Sequence, residues 1–357
     1  MKSFKIIFII FLFYSCQEKL PSREGEIWKS YGINDFPVPK KLTGTPMEIK
    51  GKMMRPRKLH IEGDFLMVSD KAMNPPIHVF NRKEENYAFG LGIEGVGPGE
   101  ITYVWTFDYG HRPNEFWTYS VEDKIFSLFD LTDSTKKASS HQIRQRNPEF
   151  YLAVDIAWAT DSTLIALRAD GIEKFVEYDT AGNVVRSYGS WEGMLAEDVP
   201  LNVTKDAFAK HFATNKSKSK FGFFSMDRDH FEILDIHSQK ILVVEGPFMH
   251  KPEFEIGYHS NNSPYYFIRD DNERTYQDLF LGEEHIYLLY SGIKRSKIVK
   301  AGLSLADKIF MFDYEGNILN VYHLDQTVGY ITVDEENGII YALSAEEDAD
   351  IIKFHIQ

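Results

Sequence analysis

One short pattern of apolar and polar residues recurs along the chain. Each copy begins with Ile or Phe, carries Phe, Tyr or Leu three positions later, and ends on Asn, Asp or His. The six copies are IHVFN (77–81), FSLFD (126–130), FVEYD (175–179), FEILD (231–235), IFMFD (309–313) and IIKFH (351–355). Their last residues are 49, 49, 56, 78 and 42 positions apart. Short aromatic and β-branched segments that end in turn residues predict strands, and these spacings are typical of β-propeller repeats.

Three further strand-like segments accompany each copy. In the third unit the four segments are YLAVDIAWA, TLIALRA, KFVEYD and VVRSYGS. The fifth unit repeats this scheme, and its turn DYEGN matches the turn DTAGN of the third unit. Four antiparallel strands repeated about an axis form a β-propeller, which leaves few sheet edges exposed. The sequence therefore predicts an all-β fold, a six-bladed β-propeller of four-stranded antiparallel blades.

The last unit contains one strand too few, and the N-terminal side contains one too many. PMEIKG (46–51) precedes the first complete unit, so we expect this N-terminal strand to close the last blade and remove an open edge. The propeller is expected over residues 42–357, with insertions at about 191–220 and 250–273. The first insertion contains KDAFAKHFA, a predicted helix, and the second is rich in aromatic residues. Long loops either carry binding residues or pack on the blade rims, and the sequence leaves both open.

The N-terminus has the features of a secretion signal. MKSFKIIFIIFLFYSC combines a basic start, a short apolar run and a small residue before Cys16, the only cysteine. The apolar run is too short to span a bilayer. We expect a lipoprotein signal peptide over 1–15, lipidation of Cys16 and a lipidated tether over 16–41; an ordinary cleaved signal with an incidental cysteine is the alternative. This predicts a protein of the bacterial cell envelope whose membrane partner is reached through the N-terminal lipid, with the outer membrane favoured and the face left open.

Composition narrows the possible partners. Apolar residues make up 43% of the chain and charged residues 26%, which suits a folded domain with a charged surface. The formal net charge is −13. Nucleic acid is therefore not expected as a partner, because binding to phosphates needs clustered Lys and Arg. The basic run KSKSK (216–220) is short and is interpreted as a solvated loop.

GLGIEG (90–95) matches a glycine pattern that binds dinucleotide phosphates. That function requires a helix opening from the glycines, since the helix N-terminus supplies the amides. Here GVGPGEI follows, and then the strand-like ITYVWTFDYG. We therefore interpret the segment as the crossing from the outer strand of blade one to the inner strand of blade two, where glycine permits sharp turns.

The lipoprotein-like start, the six units and the G-x-G-P-G-E step at 95–100 resemble the TolB-like six-bladed propeller lipoproteins of Gram-negative bacteria. The resemblance extends over essentially the whole chain after Cys16. It implies an envelope location and a binding or scaffolding role, with an envelope protein or a glycan as the partner. It supplies no catalytic residues.

The chain shows no catalytic motif. It contains neither H-E-x-x-H nor G-x-S-x-G. The acidic segments MDRDH (226–230) and RDDNE (269–273) are interpreted as turns rather than metal sites. No catalytic residue, metal ligand or cofactor is predicted.

Charged residues precede several of the predicted inner strands. Arg55, Arg57, Glu100 and Arg274 should gather at one rim of the central channel. They form either salt bridges between blades or a ligand site, for which paired arginines suit an anionic group. Three functions remain: a binding or scaffold lipoprotein, which we favour; a hydrolase or lactonase with a metal in the channel; and a carbohydrate-binding protein that uses the aromatic insertion 258–267.

Overall fold

The computed structural model describes residues 23–47, 53–71, 74–301, 305–345 and 351–356. Cys16 and the predicted signal peptide lie outside the described residues. The first strands of the chain are short: β1 (Glu26–Ser30), β2 (Lys40–Leu42) and β3 (Thr45–Pro46). They are followed by six antiparallel blades, each numbered here from its innermost strand outward.

The first three blades are separate four-stranded sheets. Blade 1 contains β4 (Pro56–Glu62), β5 (Phe65–Asp70), β6 (Ile77–Asn81) and β7 (Asn86–Leu91). Blade 2 contains β8 (Thr106–Tyr109), β9 (Glu115–Ser120), β10 (Ile125–Asp130) and β11 (His141–Arg144). Blade 3 contains β12 (Ala153–Trp158), β13 (Thr163–Arg168), β14 (Glu173–Asp179) and β15 (Val184–Ser190).

The insertions lie around blade 4 and blade 5. A helix, α1 (Leu201–Phe208), precedes blade 4, which contains β16 (His211–Thr214), β17 (Lys220–Phe224), β18 (His230–Asp235) and β19 (Lys240–Glu245). A separate hairpin follows, made of β20 (Phe254–Tyr258) and β21 (Pro264–Ile268). Blade 5 contains β22 (Glu273–Leu281), β23 (His285–Lys294), β24 (Ala306–Asp313) and the first part of β25 (Ile318–Asp334), with α2 (Arg295–Ala301) between β23 and β24.

Blade 6 shares the long strand β25 with blade 5. The first part of β25 pairs with β24, and its second part pairs with β26 (Ile339–Ser344), which pairs with β27 (Ile351–His355). The register of β25 against β26 shifts between Val328 and Tyr330, where the strand passes between the two blades. The innermost strand of each blade contacts that of the next, and the sixth contacts the first. The predicted six-bladed ring of four-stranded antiparallel blades is confirmed.

The core of the molecule lies between the blades. Six clusters of buried apolar side chains each fill the space between two neighbouring blades. Between blades 2 and 3, for example, the rings of Trp117 and Trp158 lie 5.0 Å apart. Each blade is therefore covered on both faces by its two neighbours. This explains why its strands are almost continuously apolar instead of alternating between apolar and polar residues.

The predicted closure of the last blade is also confirmed. Thr45 and Pro46 of β3 pair with Lys353 and Ile352 of β27. The Met47 amide then donates to the Ile351 carbonyl at 2.8 Å. The remaining residues of the predicted closing strand, 48–51, lie outside the described residues.

The segment predicted to be a tether, residues 16–41, instead forms strands that pair with the propeller from Glu26 onward. Strand β1 adds to the outer edge of blade 4, parallel to β19, and β2 adds to the outer edge of blade 5, parallel to β25. We call residues 26–47 the N-terminal strap. The strap covers backbone groups that would otherwise be unpaired at the outer edges of three blades. No helix among the described residues is both long and apolar enough to cross a membrane.

Candidate functional site

The centre of the propeller is nearly filled by side chains. All six inner strands line a cavity of only about 80 Å³, with Phe107, Phe212 and Phe280 among its walls. Its carboxylates join neighbouring blades: Asp108 accepts a hydrogen bond from the Trp158 amide at 2.6 Å, and Asp278 accepts one from the Ile331 amide at 2.9 Å. The interior of the channel is therefore occupied by structural contacts.

A larger cavity lies where the inner strands begin. Its volume is about 270 Å³, and we call it the mouth cavity. Five blades contribute to its wall, which consists of Arg57, Lys58, Lys71, Tyr103, Trp105, Thr106, Asp155, His211, Phe212 and Tyr330. The volume is close to the lower end of the range of small-molecule pockets.

Aromatic rings form one part of this wall. Tyr103 and Trp105 are half-buried, and their rings lie 6.1 Å apart. The Lys71 ammonium lies 4.9 Å from the ring centre of Tyr103, and the Lys58 ammonium lies 5.1 Å from that of Tyr330. Rings and cations therefore alternate around the cavity, an arrangement that can hold a flat group and an anionic group together.

Two acidic side chains at the site have their own partners. The indole of Trp105 donates to Asp155 at 2.8 Å, and Lys58 lies 3.4 Å from Asp278. Burial raises the pKa of Asp155, although this hydrogen bond opposes the shift. Burial disfavours the charged form of Lys58, but Asp278, Tyr330 and Asp155 together outweigh it and leave the pKa of Lys58 raised. Lys58 is therefore held as a cation at the cavity wall.

Positive charge exceeds negative charge on the side nearest the insertions. Burial, together with the charges of Lys58, Arg274 and Lys210, holds the pKa of His211 well below its ordinary value. Burial also lowers the pKa of Lys210 and of Arg274, while Asp206 and Asp227 respectively oppose these shifts. His211 is neutral at pH 7, and the site around it is electropositive.

The two insertions meet beside this cavity. Helix α1 contacts strand β21 of the hairpin, and the side-chain amide of Asn202 donates to the Pro264 carbonyl at 2.7 Å. Tyr266 belongs to β21 of the hairpin, and the Lys210 ammonium lies 5.4 Å from the centre of its ring. The first insertion differs from its predicted structure: α1 ends at Phe208, and His211–Thr214 forms the inner strand of blade 4.

The four predicted rim residues are not all brought together. Arg57 lines the mouth cavity, and Arg274 lies near enough to affect the pKa of His211. Arg55 is exposed, and its contacts with other described residues are made by its backbone: the amide donates to Asp70 at 2.9 Å, and the carbonyl accepts from the Lys71 amide at 3.2 Å. The Glu100 carboxylate accepts from the Gly97 amide at 2.8 Å and lines a separate small pocket. A role in ligand binding for these four residues stays a prediction.

The glycine segment forms a turn between blades. Gly92 and Gly99 have φ angles of 85° and 78°, in the left-handed region that favours glycine. A bridge joins Glu94 to Ile101, and β8 begins only at Thr106. The segment therefore lacks the helix that phosphate binding would need.

The acidic turns also have structural partners. Asp227 lies 3.2 Å from the Arg295 guanidinium, and Asp229 accepts from the Phe248 amide at 2.8 Å. Asn272 exchanges two 2.9 Å hydrogen bonds with the backbone of Glu253. Across the described ranges, no group of three or more His, Cys, Asp or Glu side chains is arranged to hold a metal ion.

The hairpin does not present its tyrosines as one surface. Tyr265 and Tyr266 are consecutive residues of β21, so their side chains point to opposite faces. Tyr266 is directed toward Lys210, whereas Tyr265 lies against His259 with ring centres 4.6 Å apart. A sugar ring could not stack on both.

The fold and the site together define a six-bladed propeller with a polar and aromatic cavity at one mouth of its channel. The chain belongs to the TolB-like family: the family described as TolB-like 6-blade propeller-like matches residues 36–336. No functionally curated protein matches the sequence.

Solved structures share the architecture at low sequence identity. A protein of the DUF4221 family from Bacteroides vulgatus is 11% identical, with a TM-score of 0.61 over 90% of this chain and 98% of that one. A protein of Bacteroides fragilis, named as an exported protein, is 12% identical, with a TM-score of 0.57 over 92% of this chain and 98% of that one. At this identity the similarity concerns the fold.

Proposed function

We propose that this protein is a lipid-anchored binding protein of the bacterial cell envelope and that its ligand occupies the mouth cavity. One observation carries the proposal: the cavity of about 270 Å³ is assembled from five blades and lies beside both insertions. A scaffold that used only its outer surface would not need a cavity of this kind. The structural roles of Asp108 and Asp278 favour binding over metal-dependent catalysis in the channel.

The anchor is supported by the sequence and by the position of the strap. Cys16 is preceded by a signal-like apolar run, and the B. fragilis protein of similar fold is named as exported. Nine residues lie between Cys16 and Glu26, where the strap begins. This length spans at most about 35 Å, which would keep the propeller close to the membrane surface.

Binding can be tested on protein isolated from its own envelope. Full-length protein should be released with detergent and examined by native mass spectrometry for a bound small molecule. We expect a mass increase that is lost in Trp105→Ala, because this change removes an aromatic wall of the cavity. Tyr151→Ala is the matched control, since Tyr151 is exposed and does not line the cavity. Loss of the ligand in both variants, or in neither, would contradict the assignment to the mouth cavity.

The anchor can be tested by metabolic labelling with an alkyne fatty acid. The wild-type protein should incorporate the label and sediment with membranes, and Cys16→Ala should do neither. Label that persists in Cys16→Ala would refute lipidation at this residue.

A further inference from the structure

Arg274 has no carboxylate partner among the residues that the structure describes. One guanidinium nitrogen is 3.3 Å from the sulfur of Met226. Its Nε atom is buried and has no hydrogen-bond partner. A buried donor that lacks an acceptor is costly, and a guanidinium fork is suited to bind two oxygens of a carboxylate or phosphate.

The neighbouring carboxylates are engaged elsewhere. Asp227 lies 3.2 Å from Arg295, and Asp206 lies 2.9 Å from Lys205 and 3.9 Å from Lys210. The phenol oxygen of Tyr266 and the Nε atom of Arg295 are likewise buried without partners. Unsatisfied donors are thus concentrated where the insertions meet. Arg274 does not line the mouth cavity, but it lies near enough to affect the pKa of His211, which does.

The opposite side of the mouth cavity is positive as well. Arg57 is exposed at its wall, and within the described parts of the chain its side chain forms no ion pair. Lys71 contacts only the ring of Tyr103 among these wall residues. This concentration of cations occurs in a chain of net charge −13. Like charges held together in a partly buried site are unfavourable unless an anion is bound between them.

We propose that the mouth cavity binds a small organic anion, with its carboxylate or phosphate oxygens on Arg57 and Lys71 and a flat ring between Trp105 and Tyr330. This inference rests on the proposed function, because it names the chemical class of the ligand for the same cavity. Arg57 and Lys71 supply charge-assisted hydrogen bonds, and the aromatic side chains cover the ring. Neutral His211 is available as a further hydrogen-bonding group.

The test compares two ligands of equal shape and different charge. Benzoate and benzamide, both at millimolar concentration, should be titrated into the full-length protein in detergent and followed by calorimetry. We expect benzoate to bind at least about tenfold more tightly, which corresponds to about 1.4 kcal/mol. Inorganic phosphate should compete with benzoate and leave any benzamide binding unchanged. Equal affinity for the two aromatic ligands, including no binding of either, would overturn the proposal.

Variants assign the charge to particular residues. Arg57→Gln should weaken benzoate binding by about tenfold. Arg274→Met should weaken it by a smaller factor, because Arg274 does not line the cavity and acts only through its charge. Arg57 is exposed, so its variant is expected to fold even if Arg274→Met does not. Arg269→Met is the matched control, because Arg269 is exposed and pairs with Glu255 on the hairpin. Unchanged affinity in Arg57→Gln together with unchanged affinity in a folded Arg274→Met would refute the assignment.

A magnetic resonance titration of His211 gives a second readout. The charged groups that face His211 are Lys58, Arg274 and Lys210, with Asp155 also at the cavity wall. A bound anion would offset the three cations and raise the pKa of His211, whereas benzamide would not. No change in that pKa with bound benzoate would place the anion elsewhere.

The outcomes separate this proposal from the broader one. If benzoate and benzamide bind with equal affinity and Trp105→Ala weakens both, the cavity binds ligands without selecting an anion, and only the present proposal fails. If neither Trp105→Ala nor the arginine variants change binding, the assignment of the ligand to this cavity fails as well.

Discussion

Lys174 is the clearest point at which to perturb the attachment of the N-terminal strap. Its ammonium lies 2.8 Å from a carboxylate oxygen of Glu26 on β1 and 2.8 Å from one of Glu232 on β18. The side chains of Lys174 and Glu232 are fully buried, and that of Glu26 is 2% exposed. His230 lies 3.0 Å from Glu232 and 3.5 Å from Glu245. We call these five residues the Lys174 cluster.

Replacement of Lys174 by Met should strongly destabilise the protein. It would leave two buried carboxylates without their shared cation. Removal of one partner from a buried ion pair costs about 3–5 kcal/mol. Part of this loss should be recovered in Lys174→Met combined with Glu26→Gln, since that variant has one buried carboxylate fewer. Hydrogen exchange at residues 26–30 should increase in the single variant, because β1 loses its contact with blade 3.

The measurement is urea denaturation at pH 7, with the midpoint and slope compared between variants. Lys83→Met is the control, because the Lys83–Asp64 pair is largely exposed, with side chains 75% and 53% accessible. We expect no measurable shift for this control. A midpoint for Lys174→Met within error of the wild type, at unchanged slope, would refute the role of the buried cation.

The same cluster predicts a pH dependence. Burial would raise the pKa of Glu232, but Lys174 and His230 together outweigh it, and the net pKa is lowered from 4.5. This stabilisation is lost as the pH falls below about 4.5. Burial would lower the pKa of His230, but Glu232 and Glu245 outweigh it and raise the pKa above 6.5. That contribution is complete below about 6.5 and is lost as the pH rises through the raised value. The stability from the cluster should be greatest between these limits, and the deficit of Lys174→Met should shrink as the pH falls and carboxylates protonate.

Four further substitutions test the fold, each by urea denaturation. Trp158→Ala should lower the free energy of unfolding by about 3–5 kcal/mol, because Trp158 is 1% exposed between blades 2 and 3; a loss below about 1 kcal/mol would contradict that packing. Asp179→Ala and Asp313→Ala should each cost about 1 kcal/mol, since each removes two hydrogen bonds from an equivalent turn, and clearly unequal losses would count against the equivalence. Met47→Ala should cost about 2–5 kcal/mol and increase hydrogen exchange at 351–356, whereas unchanged exchange would mean that the strap does not secure the last blade.

The repeat could be predicted because local sequence determines much of each blade. Asp179 and Asp313 each accept from an Asn four residues later, through both the backbone and the side-chain amide. A turn of this kind depends on a few consecutive residues, so its sequence is sufficient to recognise it. The strands are similarly marked by their apolar content.

The strap and the mouth cavity depend on contacts that sequence patterns do not show. EIWKS (26–30) is predicted to be part of a tether, because its partner strand β19 lies more than two hundred residues away and the local sequence does not reveal the pairing. His211 lies within KDAFAKHFA, an apolar pattern that favours a helix. In the structure it is the first residue of an inner strand, a position determined by the circular arrangement of the blades. Trp105 and Tyr330 are remote in sequence and converge only because the first strands of all blades meet at the axis.

The distribution of polar groups separates structural from binding roles along the axis. Inside the channel, His60 is buried, and burial together with the charges of Lys218 and Lys216 lowers its pKa to about 3, so it stays neutral. Asp108 is bonded to the backbone of blade 3 and pairs with Lys218. A ligand there would first have to displace the partners of Asp108, and the His60 Nε2 atom, although it is buried without a hydrogen-bond partner in the described part of the chain, lies at a cavity of only about 80 Å³. At the mouth, Arg57 forms no ion pair among the described residues and lines a cavity of about 270 Å³. The axis is thus closed to passage, and a ligand gains the most where the protein has left its own donors unsatisfied.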